Sequence, residues 1–491
     1  MHDRGLRTVA IVALGMALAN ACARAEAPRF EDGDRVCFIG DSITHQAHYH
    51  TQIVLFYSTR FPQMRLETWN CGFAGDTAAG AVKRYAWDIA PHRPTVATIM
   101  LGMNDVSRSL YAEGKSGADV EAQRKQAIAR NTANMQRLVE LLTRDGTRVI
   151  LITPSLFDQT GRQQAPRLAG VNDALKACAT ADRELAARYH ASLVDFNGPM
   201  EAINRKGQER DPNFTIVGAD RVHPGPVGHL VMAYLFLKAQ RQSPLVAHVA
   251  IDAAKRAVVQ QDNCRVTSLS VASDAISFTY LAEALPFPVD ATNEAALGLV
   301  PFTEDLNQEL LRISGLSPGP YELAIDGRSI LKTTAAALAS GINLAVIPET
   351  PQYQQAKEVQ RMLAERAQIE GRKLRTFAQV NYLFLCDLAE RSEQSDRRVL
   401  EESLAKLRKV DSTWNRYRCG VLEAYQELLP QKEELQRRSA ELLARIGATR
   451  LPKSLTFKLQ AQGPIILGAG RRGPRRDDDD RRGFVAGVGR R

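Results

Sequence analysis

Apolar and polar positions along this chain follow two regimes. From residue 35 to 240, short apolar runs recur with amphipathic stretches between them. The runs are Val36-Cys37-Phe38-Ile39, Leu66-Glu67-Thr68-Trp69-Asn70, residues 96–101, residues 148–153 and Ser192-Leu193-Val194-Asp195-Phe196, each the length of one strand. Between them, residues 118–144 place Ile128, Met135, Leu138, Val139 and Leu142 on one side of a long helix. Helical spacing returns over residues 45–60, 168–190 and 228–240. Strand alternating with helix predicts an α/β fold, a parallel sheet with helices on both faces.

The second regime begins after residue 245. Residues 245–261 read as a helical connection. From about Cys264 the period drops to two, with Val266, Ser268 and Ser270, then Ile276, Phe278 and Tyr280. Further strands are expected at residues 310–313, 321–325 and 329–331, with turns at Ser317-Pro318-Gly319-Pro320 and Asp326-Gly327. Residues 262–333 therefore form a small β-sandwich-like module, read as a lid or scaffold in preference to a glycan binder. Over 334–450 the period is helical again, with Val359, Met362 and Leu363, then Leu374, Phe377 and Val380, and later Leu400, Leu404 and Leu407. Helical hairpins packed on the first half are the expectation, ahead of a partner-binding coiled coil.

Composition refines this picture at the two ends. The content is 44% hydrophobic and 24% charged, ordinary for a globular protein, and 491 residues exceed the usual single core. Of the net charge of +9, four units belong to the Arg- and Asp-rich stretch 471–491. The remainder is too dilute to argue for a nucleic-acid partner. Residues 465–491 lack a core pattern and are expected to be disordered. At the other end, Arg4 and Arg7 precede an apolar run from Val9 to Ala21 and the small-x-small sequence Ala21-Cys22-Ala23. This pattern predicts a signal peptide over 1–25 and a secreted or periplasmic protein, with a lipoprotein at Cys22 the weaker alternative. No second span is expected. The seven cysteines match no zinc spacing. Export permits disulfides, and Cys386 with Cys419 is the candidate pair, whereas Cys37 reads as a buried free thiol.

Candidate chemistry gathers at the ends of the apolar runs. Gly40-Asp41-Ser42-Ile43-Thr44 follows the first strand, where an open α/β sheet binds its ligands. By itself it reads equally well as a helix N-cap. Asn70-Cys71-Gly72-Phe73-Ala74-Gly75-Asp76-Thr77 follows the second strand, and Gly102-Met103-Asn104-Asp105 the third. Asp220-Arg221-Val222-His223-Pro224 occupies a polar loop before the last helix of the first half. A carboxylate three residues before an imidazole can hold one ring nitrogen and leave the other free to act as a base. His45, His48 and His50 share no carboxylate or cysteine spacing and are expected on an exposed helix face or at the site rim, without metal. No Gly-x-Ser-x-Gly elbow is present at Ser42, which argues against the ordinary α/β-hydrolase fold.

In this order and spacing the four blocks resemble those of the SGNH (GDSL) hydrolase family, over roughly residues 30–240. The resemblance implies a flavodoxin-like three-layer hydrolase domain over 28–245 and an ester-hydrolysing serine enzyme. It implies Ser42 as nucleophile, His223 as base and Asp220 as its orienting acid. The oxyanion donors map to the backbone N–H of Ser42 and of Gly75 and to the amide of Asn104, with Asp41 and Asp105 in support. No metal or organic cofactor is implied. Short acyl groups, acetyl on carbohydrate above all, are the expected substrate. A lipase or lysophospholipase is the runner-up, and a non-catalytic glycan-binding or scaffold protein the alternative from another class. Gly341-Ile342-Asn343-Leu344-Ala345 resembles a segment of multidomain bacterial members.

Overall fold

The computed structural model describes residues 27–463. The expected signal segment, Cys22 and the Arg/Asp stretch lie outside the described residues. The first half is built on five parallel strands: β1 (Arg35–Gly40), β2 (Glu67–Gly72), β3 (Val96–Met100), β4 (Arg148–Ile152) and β5 (Ser192–Val194). Their order is β2-β1-β3-β4-β5, with Gly40 aligned to Gly72 on one side and to Met100 on the other. The helices are α1 (Ser42–His45), α2 (His48–Arg60), α3 (Ala78–Arg84), α4 (Ala118–Arg144), α5 (Val171–Tyr189), α6 (Asn197–Gln208) and α7 (Pro226–Ala239).

The pleat of β1 explains why both faces are covered. Val36 and Phe38 point into a core with Ile53 and Phe56 of α2 and Leu230 and Phe236 of α7. Cys37 and Ile39 point the other way, against Ala78 and Ala81 of α3 and Met135, Leu138 and Leu142 of α4. All four β1 residues are fully buried, as are their main partners. Each large side chain contributes about 1.5–3 kcal/mol on leaving water.

The second half departs from expectation at its start. Residues 245–261 are not a helical connection but two strands, β6 (Leu245–Asp252) and β7 (Ala257–Asp262). The β module thus begins before residue 262. It continues through β8 (Cys264–Val271), β9 (Ala275–Ala282), β10 (Gln308–Ser314), β11 (Pro320–Ile325), β12 (Arg328–Thr334) and β13 (Ile342–Asn343). It also passes the other expected boundary, at 333, because β14 (Leu455–Ala461) lies between β9 and β11. The two sheets, β13-β10-β6-β7 and β12-β11-β14-β9-β8, share one apolar core.

Residues 335–454, set between two strands of that sandwich, carry α8 (Pro351–Gln368), α9 (Arg375–Val380), α10 (Glu393–Leu407), α11 (Thr413–Leu428) and α12 (Lys432–Thr449). One π-turn joins α8 to α9 and another follows α9. Val359, Met362, Leu442 and Ile446 enter the same core as α2 and α7, so these helices pack on the layer of the five-stranded sheet. Cys386 and Cys419 are both free thiols, so the expected pair is not formed. No helix among the described residues is long and apolar enough to cross a membrane.

Candidate active site

The carboxyl ends of β1, β2 and β3 bring three of the sequence blocks together. Backbone packing there is close enough to require glycine. A Cβ on Gly40 would meet Thr44 Oγ1 at 2.1 Å and the Met100 carbonyl at 2.9 Å, and one on Gly72 would meet His45 N at 2.4 Å. Asp41 caps α1, its carboxylate accepting from Ile43 N at 3.0 Å. Ser42 is the first residue of that helical turn and stays partly exposed.

Across from Ser42 stands the loop before α7. Ser42 Oγ lies 2.7 Å from His223 Nε2, and His223 Nδ1 lies 2.5 Å from Asp220 Oδ2. The other oxygen of Asp220 accepts from the N–H groups of Val222 and His223, both at 3.0 Å. Partial burial pushes the Asp220 carboxyl up. The hydrogen bonds from the His223 ring and from these two amides outweigh it and hold the group below its ordinary value. An ionised carboxylate on Nδ1 fixes the tautomer that leaves Nε2 facing the hydroxyl.

The Gly75 loop and Asn104 are tied to each other and to the serine block. Phe73 N donates to Gly40 O at 3.0 Å. Asn104 Nδ2 donates one hydrogen to Asp76 O at 2.9 Å, which leaves its second for a ligand. Asp105 accepts from Ala78 N at 2.9 Å, pinning the start of α3 to the same loop. Gly75 itself is exposed, with φ of 77°, a left-handed conformation that disfavours a side chain. Burial, with Asp105 and Asp76 adding to it, pushes the Asp41 carboxyl up to about 7 against the Ile43 N–H.

These contacts form a hydroxyl–imidazole–carboxylate relay beside neutral N–H donors, an arrangement suited to acyl transfer. The family model for GDSL-like lipases and acylhydrolases matches residues 38–231. A solved gut microbial diltiazem-metabolizing enzyme is 33% identical, covers 89% of this chain and all of its own, and superposes with a TM-score of 0.81. The chain belongs to the GDSL (SGNH) hydrolase family. An acetylxylan esterase from Geobacillus stearothermophilus is 24% identical over 222 residues, which are 42% of this chain and 93% of that protein. This GDSL hydrolase is an ester-hydrolysing serine hydrolase with a parallel five-stranded sheet and added β and helical parts.

Three features of the GDSL site were not visible in the motifs. Arg221 stands between Asp220 and His223 with φ of 70°, and its buried guanidinium donates to the carbonyls of Ala165, Asp158, Gly161 and Gln163 at 2.7–2.9 Å. It anchors the histidine loop, and only its place inside the motif hinted at that. The second feature is a buried charge network behind the Gly75 loop. Arg84 pairs with Asp76 at 2.8 Å and Asp88 at 2.5 Å. Arg375, from α9, grips Asp88 at 2.5 and 2.6 Å and donates to Gly72 O at 3.1 Å. The Phe73 ring is covered by both guanidiniums, at 4.6 and 4.1 Å, and stacks with Tyr382 at 5.4 Å. Burial raises Asp88, but Arg375 and Arg84 outweigh it and hold the carboxyl low. The third feature is Trp414, whose ring reaches Gly75.

The histidines correct one expectation. His48 is exposed, but His50 is buried, stacked on Phe38 at 4.6 Å and bonded through Nε2 to Thr44 O at 3.1 Å. Burial pushes it down to about 4, so it packs as a neutral ring beneath α1. Among the described residues no group of His, Cys, Asp or Glu is placed to hold a metal ion.

Proposed function

We propose that this hydrolase removes short acyl groups, acetyl above all, from carbohydrate outside the cytoplasm. The observation that carries the catalytic part is the unbroken relay Ser42–His223–Asp220, at 2.7 and 2.5 Å. In this reading His223 Nε2 takes the proton as Ser42 Oγ attacks the ester carbonyl. Asp220 stabilises the imidazolium. The N–H groups of Ser42 and Gly75 and the free hydrogen of Asn104 hold the tetrahedral oxyanion. His223 then returns the proton to the leaving alcohol. Water, activated by the same imidazole, releases the acid and restores the serine.

The substrate part of the proposal is supported by the acetylxylan esterase relationship and by the open setting of the site, with Gly75 exposed and the Asp220 side chain about half exposed. Export is supported by the basic-then-apolar pattern of the first 25 residues. A second reading is a low-molecular-weight ester. The similarity that runs through nearly the whole chain favours it, since that relative is described as metabolizing diltiazem.

Hydrolysis of p-nitrophenyl acetate and octanoate by the wild type and Ser42→Ala tests the chemistry. Acetyl turnover abolished by the substitution supports the reading, and octanoyl preference would replace it with a lipase. Acetate release from acetylated xylan separates the carbohydrate reading from the small-ester one.

A further inference from the structure

A residue from the C-terminal helices completes the rim of this site. Trp414 lies in the first turn of α11, and its Cη2 and Cζ3 atoms stand 3.5 Å from where a Cβ on Gly75 would be. The indole therefore covers the bare side of Gly75, one bond away from the N–H assigned to the oxyanion. Even so, Trp414 is 49% exposed. An indole placed only for packing would gain more by being buried, since burial of apolar surface is what stabilises such a ring.

The ring is nonetheless held in place. It stacks on Tyr417 with centroids 5.2 Å apart and planes 23° from parallel. The Tyr417 hydroxyl accepts from Nε2 of the buried Gln379 at 2.8 Å. Ser412 caps the helix start, accepting from Asn415 N at 3.1 Å. On the catalytic side, Lys83 of α3 reaches across to Asp387 at 2.6 Å. The result is a half-exposed indole, held in orientation by its stack on Tyr417, beside the oxyanion loop.

We propose that Trp414 is a specificity-determining residue whose indole packs on the flat face of a ring in the alcohol half of the ester. The proposal rests on the esterase reading and names the alcohol it favours. A wall for the acyl group would be enclosed, whereas a half-exposed ring at the mouth meets the part of the substrate that projects outward. A flat, half-exposed indole suits a flat partner, either the C–H face of a sugar ring or an aryl ring. Contact with this remote group supplies binding energy that a small alcohol cannot.

The test uses the full chain with Trp414→Ala and Trp414→Phe. It measures kcat and KM for ethyl acetate, phenyl acetate and peracetylated xylose, with a thermal melt of each protein. Trp414→Ala should lower kcat/KM roughly 10-fold on the ring-bearing acetates, mainly through KM, and leave ethyl acetate within about twofold. Trp414→Phe should recover most of the loss. A loss confined to the sugar or to phenyl acetate supports the proposal and says which ring is recognised. An equal loss on all three esters would make the indole a mere support for the Gly75 loop and overturn the proposal. No loss on any would overturn it too. Failure of the esterase reading looks different: ester turnover absent from the wild type, or unaffected by Ser42→Ala, which would bring down both.

Discussion

Replacing Arg375 by Met tests whether the C-terminal helices set the geometry of the oxyanion loop. The substitution keeps most of the side-chain stem and deletes the guanidinium. Lost with it are two bonds to Asp88, one to Gly72 O and the cover on Phe73. Removing one partner of a buried ion pair costs about 3–5 kcal/mol. Asp88 keeps Arg84, so the lower end, about 3 kcal/mol, is the expectation. For a unit of this size that is a fall in Tm of roughly 6–12 °C. Gly72 and Phe73 lead directly into Gly75, and a displacement of about 1 Å at a reacting centre costs up to 100-fold. We expect kcat on p-nitrophenyl acetate to fall about 10- to 100-fold below the melting range, with KM little changed. Arg375→Lys, which keeps the charge but not the two-pronged grip, should lie between. Asp88→Leu combined with Arg375→Met should regain stability because no unpaired charge stays buried. A melt within about 2 °C of wild type would refute the energetic argument. A lowered melt with full kcat at 20 °C would refute the link to the oxyanion loop.

Asn104→Ala should reduce kcat about 10²- to 10³-fold, the usual cost of one oxyanion donor, with KM changed far less. Steady-state kinetics on p-nitrophenyl acetate decide it, and an unchanged kcat would remove Asn104 from the site. Asp220→Asn should reduce kcat/KM by roughly 10³-fold or more, because the amide favours the wrong tautomer of His223. A loss below about 10-fold would show that Asp220 does not orient the base. Burial pushes Glu309, bonded to Tyr280 and Gln352, from its ordinary 4.5 up to about 7. Between those values the folded chain keeps a proton that the unfolded chain has lost. Stability therefore falls as pH rises through that window, by about 3 kcal/mol, and is level above it. Denaturant melts from pH 4 to 8 should show this fall reduced in Glu309→Gln; equal slopes in the two proteins would contradict it.

The catalytic half was legible because its signals are local. The β1 run, the glycine that follows it and the 27-residue periodicity of α4 each depend on neighbours in the chain. The histidine relay was legible for the same reason, since Asp220 and His223 are three residues apart. Residues 245–261 misled because β6 lies inside a mixed sheet, between β10 and β7. Its residues are buried almost continuously, so period-two alternation is lost, and the alanines of 250–257 imitate a helix. His50 was misplaced because nothing in the spacing shows which side of α2 meets Phe38. Arg375 and Trp414 gave no signal at all. Each resembles an ordinary polar or apolar helix position until folding sets it against Gly72 or Gly75.

The place of β14 has a consequence for how the molecule is made. On the ribosome, β8–β12 emerge long before residues 455–461. Until then β9 and β11 have no shared neighbour, and each presents an open edge to other nascent chains. Arg375 and Trp414 also emerge in this interval, so the five-stranded layer precedes the parts that pack against its Gly72–Gly75 loop. The sandwich closes only when the last described strand slots in. That act also locks the intervening helices onto the enzyme, which makes the arrival of β14 a checkpoint on a layer made well before it.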